Sequence, residues 1–519
     1  MFKEKVAIID IGSNSIRLVI YGIDEEYNFV ELQNVKTPAR LSENIQMINE
    51  QAILDQTGID KLISALDSFK YVIESYQADT VIPKATAAIR QSANQASIIE
   101  QVEQATGIRI QLVSEQEEAL YGLYAVLHST TIEDAVTIDI GGGSCEITLY
   151  EKKELKHYKS FPFGAVSLRK DFFTDKAHND PEAMEAVRKF VRKQFKAFPW
   201  IKKAKLPIIA IGGSARNVAN VHQRLVHYPL AGIHGYGMTD DAIDMTLQTF
   251  VTTEASKLGD IDGLSSDRQD IIIPATIVFQ ELYNVVKASF LAISTQGLRE
   301  GIVLKYINEK YNTPIDMSLI RARTIRGIGH LFPVDTSRNY LRINYALSLY
   351  QQLCELNLLP YSYEYHEEIE FAAYLYHFGS FIDVEADSQH TFYLLSNMNL
   401  SGYSHRKRLR LALLSSYRNR SLQNQYLEIF PGWFTEEEQL LLQKLGGILK
   451  FSQALNDSQT DPIDSLELVA LDDGNYRLDI YHHKPIIAEK YRAQRHLKHL
   501  ERALDGQLSL NFIAINQPA

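Results

Sequence analysis

Two stretches of this chain repeat one another. Ile9-Asp10-Ile11-Gly12-Ser13-Asn14-Ser15 aligns with Ile138-Asp139-Ile140-Gly141-Gly142-Gly143-Ser144 at an offset of 129 residues, with Ile, Asp, Ile, Gly and the final Ser coincident. Each copy closes one apolar run and precedes another. The pattern predicts strands over 6–9 and 136–140 that pass through tight turns into strands over 16–21 and 147–150. A repeat constrains the fold more than composition does. Two α/β units, each opening on such a hairpin, place two small, polar turns opposite one another across a cleft.

The rest of the first unit alternates. A helix is expected over 60–76, a strand over 79–84, a helix over 87–106 with Gly107 as its C-cap, a strand over 109–113 and a helix over 116–128. In the second unit a strand over 208–211 ends in Gly212-Gly213-Ser214 and enters a helix. After about residue 313 the texture becomes helical, over 316–450. It changes again near 458, where strands over 466–471 and 476–481 flank Asp472-Asp473-Gly474-Asn475 and a basic helix follows over 485–504. A chain of 519 residues is too long for one core. Four pieces are expected: 1–128, 129–312, 313–452 and 453–519.

The formal net charge of −11 argues against a nucleic-acid-coating protein. Two cysteines, Cys145 and Cys354, provide neither a disulfide framework nor zinc spacing, which suits a reducing cytoplasm. The first apolar run is cut by Asp10, so neither signal peptide nor anchor is expected there. No stretch approaches the roughly 20 apolar residues of a membrane span.

The turns carry the chemistry. Gly12, Ser13, Asn14 and Ser15, and Gly141, Gly142, Gly143 and Ser144, can bring backbone N–H groups and hydroxyls close to an anion. Alone, either turn reads as a plain hairpin. Two copies, each behind a carboxylate on a buried strand, point to phosphate. Asp10 and Asp139 are costly there unless paired or metal-bound. Asp139 and Glu146 flank one turn and both reach a single Mg2+. Strand alternation puts Glu146 opposite Ile147 and Leu149, and in the first hairpin it puts Arg17 in the equivalent place. Asp10, Asp139 and Glu146 are therefore the metal-ligand candidates, and Arg17 a phosphate ligand. Ser114 with Glu117 fits a capping box, which frees Glu118 at the helix start as a candidate general base; a solvated glutamate is the alternative. Arg90, at a helix start after a strand, is a candidate phosphate clamp with a surface ion pair as the alternative, and Gly213 and Ser214 sit on a third turn of the kind that binds phosphate or simply lets a helix pack closely.

Taken together, these motifs resemble the exopolyphosphatase / guanosine pentaphosphate phosphohydrolase (Ppx/GppA) family, most of all its long exopolyphosphatases. Glu117-Glu118-Ala119, Cys145-Glu146, Phe163-Gly164-Ala165-Val166-Ser167-Leu168 and Gly297-Leu298-Arg299-Glu300-Gly301 complete the likeness. The resemblance implies a duplicated actin-like (ribonuclease H-like) α/β core, an all-helical HD-like domain and a small α+β carboxy-terminal domain. It implies Mg2+-dependent (or Mn2+-dependent) release of orthophosphate from the end of inorganic polyphosphate, with a monovalent cation such as K+ as an optional addition that the sequence does not fix. It maps Glu118 to the base, Asp139 and Glu146 to metal and catalytic carboxylates, and Arg90 to phosphate. It also implies a cytoplasmic homodimer.

Where an HD domain needs a His-Asp pair, this chain has His377-Phe378, so His377 is expected to be packed or hydrogen-bonded, with His390 further on. The helices would build part of a polyphosphate channel and the dimer interface. Residues 401–420 hold Arg406, Lys407, Arg408, Arg410, Arg418 and Arg420 without an acid, and the tail helix adds Lys490, Arg492, Arg495, Lys498 and Arg502, a concentration suited to a polyanion or to a solvated basic face. Three rivals remain: hydrolysis of guanosine pentaphosphate at the same site, an actin-like ATPase or kinase with Gly212-Gly213-Ser214 on adenosine, and a regulator that binds guanosine tetraphosphate.

Overall fold

In the computed structural model, which describes residues 2–313, 319–332 and 339–515, the apolar run before Asp10 is the middle strand of a sheet covered on both faces. Strand β1 (Glu4–Ile11) sends Ala7, Ile9 and Ile11 into one apolar cluster and Val6 and Ile8 into another. Burial on both faces is why its sequence is continuous rather than alternating. It pairs antiparallel with β2 (Ile16–Ile23), which in turn pairs with β3 (Phe29–Thr37) at the edge. A small hairpin follows, β4 (Ile45–Ile48) and β5 (Gln51–Leu54), then helix α1 (Gln56–Tyr76), β6 (Thr80–Ala85), helices α2 (Ala87–Arg90) and α3 (Gln95–Thr106), β7 (Gln111–Leu112) and α4 (Glu115–Leu127).

The predicted helix over 87–106 is thus two helices. Asn94 breaks it by bridging to the hairpin, accepting from Leu54 N–H at 3.2 Å and donating to Leu54 O at 2.9 Å, while Ala93 N–H donates to Ala52 O.

The second half repeats the plan. Strands β8 (Ala135–Ile140), β9 (Cys145–Glu151) and β10 (Glu154–Phe161) precede α5 (Ala165–Phe173), α6 (Pro181–Lys196), β11 (Ile208–Ile211), α7 (Gly212–Leu225), β12 (Gly237–Met238), α8 (Asp240–Thr252), α9 (Ile272–Val286), β13 (Leu291–Ile293) and α10 (Leu298–Tyr311). The sheets run β3-β2-β1-β6-β7 and β10-β9-β8-β11-β13-β12. In both, three antiparallel strands meet a parallel partner beside the first of them. The outer strands β3 and β10 were not anticipated; both are polar edge strands.

Helix α10 turns back onto the first half. Its Ile302, Val303 and Ile307 bury with Val6, Ile8, Val19 and Tyr21. It crosses α4 so closely that a Cβ on Gly301 would lie 1.9 Å from Tyr121 O.

The chain divides into two compact units, Met1–Tyr228 with Ile233–Ile320, and Pro229–Gly232 with Arg321–Ala519. The second holds α11 (Ile320–Leu331), α12 (Asn339–Glu355), α13 (Tyr363–Tyr374), α14 (Asp387–Asn397), α15 (His405–Ser415), α16 (Arg420–Leu427) and α17 (Glu436–Ala454), then β14 (Ile463–Ala470), β15 (Tyr476–His482), α18 (Ile487–Leu504) and β16 (Leu508–Ala514). The helical texture expected over 316–450 is there, apart from 316–318 and 333–338, which lie outside the described residues. The third strand β16, parallel to β15, was not anticipated. No helix among the described residues is long and apolar enough to cross a membrane.

His377 is committed to hydrogen bonds, as expected: Nδ1 lies 2.7 Å from Asp387 Oδ2 and Nε2 3.3 Å from Tyr417 O, with Tyr376 stacked on its ring. The basic run over 401–420 is divided, with Arg406, Arg418 and Arg420 exposed and the rest partly or fully buried. Arg406, Lys407 and Arg410 pair with Glu438, Glu364 and Glu368, and Arg408 is buried.

Candidate active site

The duplicated hairpins form matching turns in unit 1. Gly12 N–H donates to Ser15 O at 3.1 Å, and Gly141 N–H to Ser144 O at 2.9 Å. The carbonyls of Ser13 and Asn14 accept from Ser42 and Arg40, while those of Gly141 and Gly142 accept from Ala165, Val166 and Ser167 at the start of α5. In a trans peptide the next N–H points the opposite way. Anchoring the carbonyls therefore turns the N–H groups of Asn14, Ser15, Gly142 and Gly143 away from those partners, and Asn14, Ser15 and Gly142 line a cleft.

The strand phase holds. Asp10 stands opposite Arg17 across β1 and β2, and Asp139 opposite Glu146 across β8 and β9. All four line the cleft, with Gly12, Ser13, Gly141, Ser144, Gly213 and Glu118. Three of the anticipated residues lie outside the lining: Gly143, Ser214, which is wholly buried with no hydrogen-bond partner for its hydroxyl among the described residues, and Arg90. Arg90 donates instead through Nη1 to Glu118 Oε2 at 2.7 Å and to Val113 O at 2.8 Å. It faces the candidate base.

Glu118 is held at the start of α4 by the anticipated capping box. Glu117 N–H donates to Ser114 Oγ at 3.2 Å, and Ser114 N–H to Glu117 Oε2 at 3.0 Å. Burial pushes the Glu118 carboxyl up to about 7; Arg90 opposes the rise, and the Asp139 and Asp10 charges add to it. A carboxylate poised there suits proton transfer at neutral pH.

Burial, then the Asp10 charge, raises Asp139 to about 6, and burial with the Glu118 and Asp139 charges holds Glu146 well above the usual carboxylate range. Ser160 Oγ–H donates to Glu146 Oε1 at 2.9 Å. Asp139 is also fixed by the third turn. Gly212 has φ +92°, and a Cβ there would lie 2.6 Å from Asp139 Oδ1. Asp10 sits beside Arg299, Nε to Oδ2 3.7 Å.

Four guanidiniums line the cleft: Arg17, Arg216, Arg268 and Arg299. Burial and the facing Arg299 lower the pKa of Arg17 and of Arg216. Arg216 and Arg299 lie in motifs that the sequence marks, though without a role. Arg268 has no sequence signal, since it lies in a short 3-10 turn, Ser266–Arg268. Among the described residues no group of three or more His, Cys, Asp or Glu forms a closed metal cage. The donor set of Asp139 and Glu146, two facing carboxylates open to a phosphate site, fits Mg2+, which commonly takes one or two carboxylates and fills its shell with water and phosphate oxygens.

A duplicated actin-like core with two facing anion turns, buried carboxylates and converging arginines defines a phosphoryl-handling protein. The chain belongs to the Ppx/GppA phosphatase family: residues 19–310 match that family's model, and residues 320–501 match the model of its domain III.

A bifunctional 3-dehydroquinate synthase/phosphatase of Fusobacterium nucleatum is 26% identical over 312 residues, covering 59% of this chain and 47% of that protein, so the chain spans about half of that relative. A guanosine-5'-triphosphate,3'-diphosphate pyrophosphatase of Vibrio vulnificus is 23% identical over 417 residues, 77% of each chain. Among solved structures, the Aquifex aeolicus family member aligns with TM-score 0.51 at 25% identity over 59% of this chain and 99% of its own. An exopolyphosphatase of Cytophaga hutchinsonii aligns with TM-score 0.53 at 18% identity, over 59% and 98%, a likeness of fold.

Proposed function

We propose that this protein is an exopolyphosphatase, cutting the terminal phosphoryl group from inorganic polyphosphate with Mg2+. The observation that carries the reading is Glu118: a carboxylate held near neutrality by burial, beside the two anion turns. The chain end lies between the turns, its oxygens taking the N–H groups of Asn14, Ser15 and Gly142. Arg17, Arg216, Arg268 and Arg299 balance its charge. Glu118 accepts the proton of the attacking water, and Arg90 keeps it aimed. Asp139 and Glu146 would hold the metal, which neutralises charge on the transferring group when bound.

The length of the substrate is supported by unit 2. There Arg418, Lys450, Arg492 and Arg495 come together from α17, α18 and the segment before α16, around Asp387; burial lowers the pKa of Lys450, Asp387 opposes the fall and the three arginines add to it. His496 and His499, 5.8 Å apart, lie within the same cations. Such a band suits a polyanion with many phosphates.

A second reading is hydrolysis of guanosine pentaphosphate to the tetraphosphate, favoured by the Vibrio relative, which matches over most of both chains. Orthophosphate release from long polyphosphate and from guanosine pentaphosphate, with Mg2+ and with EDTA, separates them. Polyphosphate turnover that fails on chelation supports the first reading. Turnover of the nucleotide alone establishes the second. Unchanged release by E118Q removes Glu118 as base.

A further inference from the structure

Lys36 and Asp267 meet from the two halves of unit 1. Lys36 lies on β3, directly across the ladder from Arg17 of the cleft. Asp267 immediately precedes Arg268, another cleft residue. Their side chains form an ion pair, 32% and 20% exposed, so solvent screens it only in part.

The turn that carries Asp267 is fastened to the cleft floor. Asn217 Oδ1 accepts from Ser265 N–H at 2.7 Å and from Ser265 Oγ–H at 3.0 Å, and Asn217 Nδ2 donates to Gly213 O at 2.9 Å. Arg268 Nε lies 3.7 Å from the same Asp267 oxygen that Lys36 takes. The Arg268 guanidinium rests on Gly213, where a Cβ would come within 2.8 Å of Nη2. One carboxylate therefore links a β3 lysine of the first half to an arginine laid over the third turn of the second.

We propose that the Lys36–Asp267 pair is a latch that holds the cleft closed around a phosphate-chain end and aims Arg268 at it, which makes Lys36 and Asp267 positioning residues for substrate. The proposal rests on the reading of the cleft as a phosphate-chain site. It differs in sign from simple electrostatics. Asp267 is an anion near an anion site, so its removal should tighten phosphate binding if charge alone acts. If it is a latch, its removal weakens binding.

The test is calorimetric binding of tripolyphosphate to the whole protein in EDTA, which needs no turnover. D267K and K36D are each expected to weaken binding at least about tenfold, and the charge-swapped K36D/D267K to recover to within about threefold of wild type. G213A, which pushes Arg268 aside and leaves the ion pair intact, is expected to weaken binding with an unchanged melting temperature, and so keeps the proposal testable if a charge variant fails to fold. D267K that binds as tightly as wild type or tighter overturns the latch, as does a folded double variant that recovers nothing. Wild-type protein that neither binds tripolyphosphate nor releases phosphate from polyphosphate overturns the underlying reading, and the latch with it.

Discussion

Replacing Arg90 with methionine separates two roles for this residue. Arg90 Nη1 sits 2.7 Å from Glu118 Oε2 and opposes the burial that raises Glu118 to about 7. Near pH 7 about half of the enzyme then carries the ionised base. An opposite charge at this range typically moves a carboxyl by roughly 1–3 pH units. Without it, the Glu118 pKa rises to about 8–10, and the ionised fraction at neutral pH falls to roughly 0.1–10%. The turnover number of R90M at saturating substrate should drop about 5- to 500-fold at neutral pH and recover as pH rises, with KM little changed. The assay is orthophosphate release against pH for wild type and R90M at saturating Mg2+, scored by the position of the acid limb. An acid limb that stays in place while KM climbs would refute the reasoning and return Arg90 to the phosphate.

Three more outcomes are expected. G212A should cut turnover about 100-fold or more, because a left-handed residue gains a Cβ against Asp139 Oδ1, while stability falls by only about 1–2 kcal/mol; kinetics and a melting curve on one sample check both. G301A should destabilise unit 1 by roughly 1–3 kcal/mol or more, since α4 and α10 have to part, and denaturant unfolding measures it. Burial, reinforced by Lys450, Arg492, Arg495, Lys498 and Arg502, holds His496 and His499 at about 4 in the folded protein, below the ordinary 6.5. The unfolded chain therefore binds these protons first, so stability should fall as pH drops from about 6.5 towards 4, and H496Q/H499Q should flatten that slope in denaturant titrations.

How much was legible depended on whether each residue's role is local. The middle strands could be read because burial on both faces leaves an unbroken apolar run, and period two then fixed the partners of Arg17 and Glu146. The capping box announced the start of α4 and, by elimination, Glu118. The bond from Arg90 to Glu118 could not be read, because the partner lies 28 residues on and on another element. The break between α2 and α3 depends on Asn94 meeting Leu54, a tertiary event that helix propensity does not contain. The polar edge strands β3 and β10 carry too weak an alternation to stand out. Arg268 reaches the cleft from a short 3-10 turn positioned by Asn217, and no periodicity marks such a place.

The return of α10 bears on how the protein is made. Val6, Ile8, Val19 and Tyr21 wait for Ile302, Val303 and Ile307, which leave the ribosome long after α4 is complete. At about 5–20 residues per second, that interval lasts roughly 10–35 s. Throughout it the nascent amino-terminal half presents an uncovered greasy face, so the stretch of synthesis between α4 and α10 is when a chaperone has most to shield and when a stalled ribosome would do most harm.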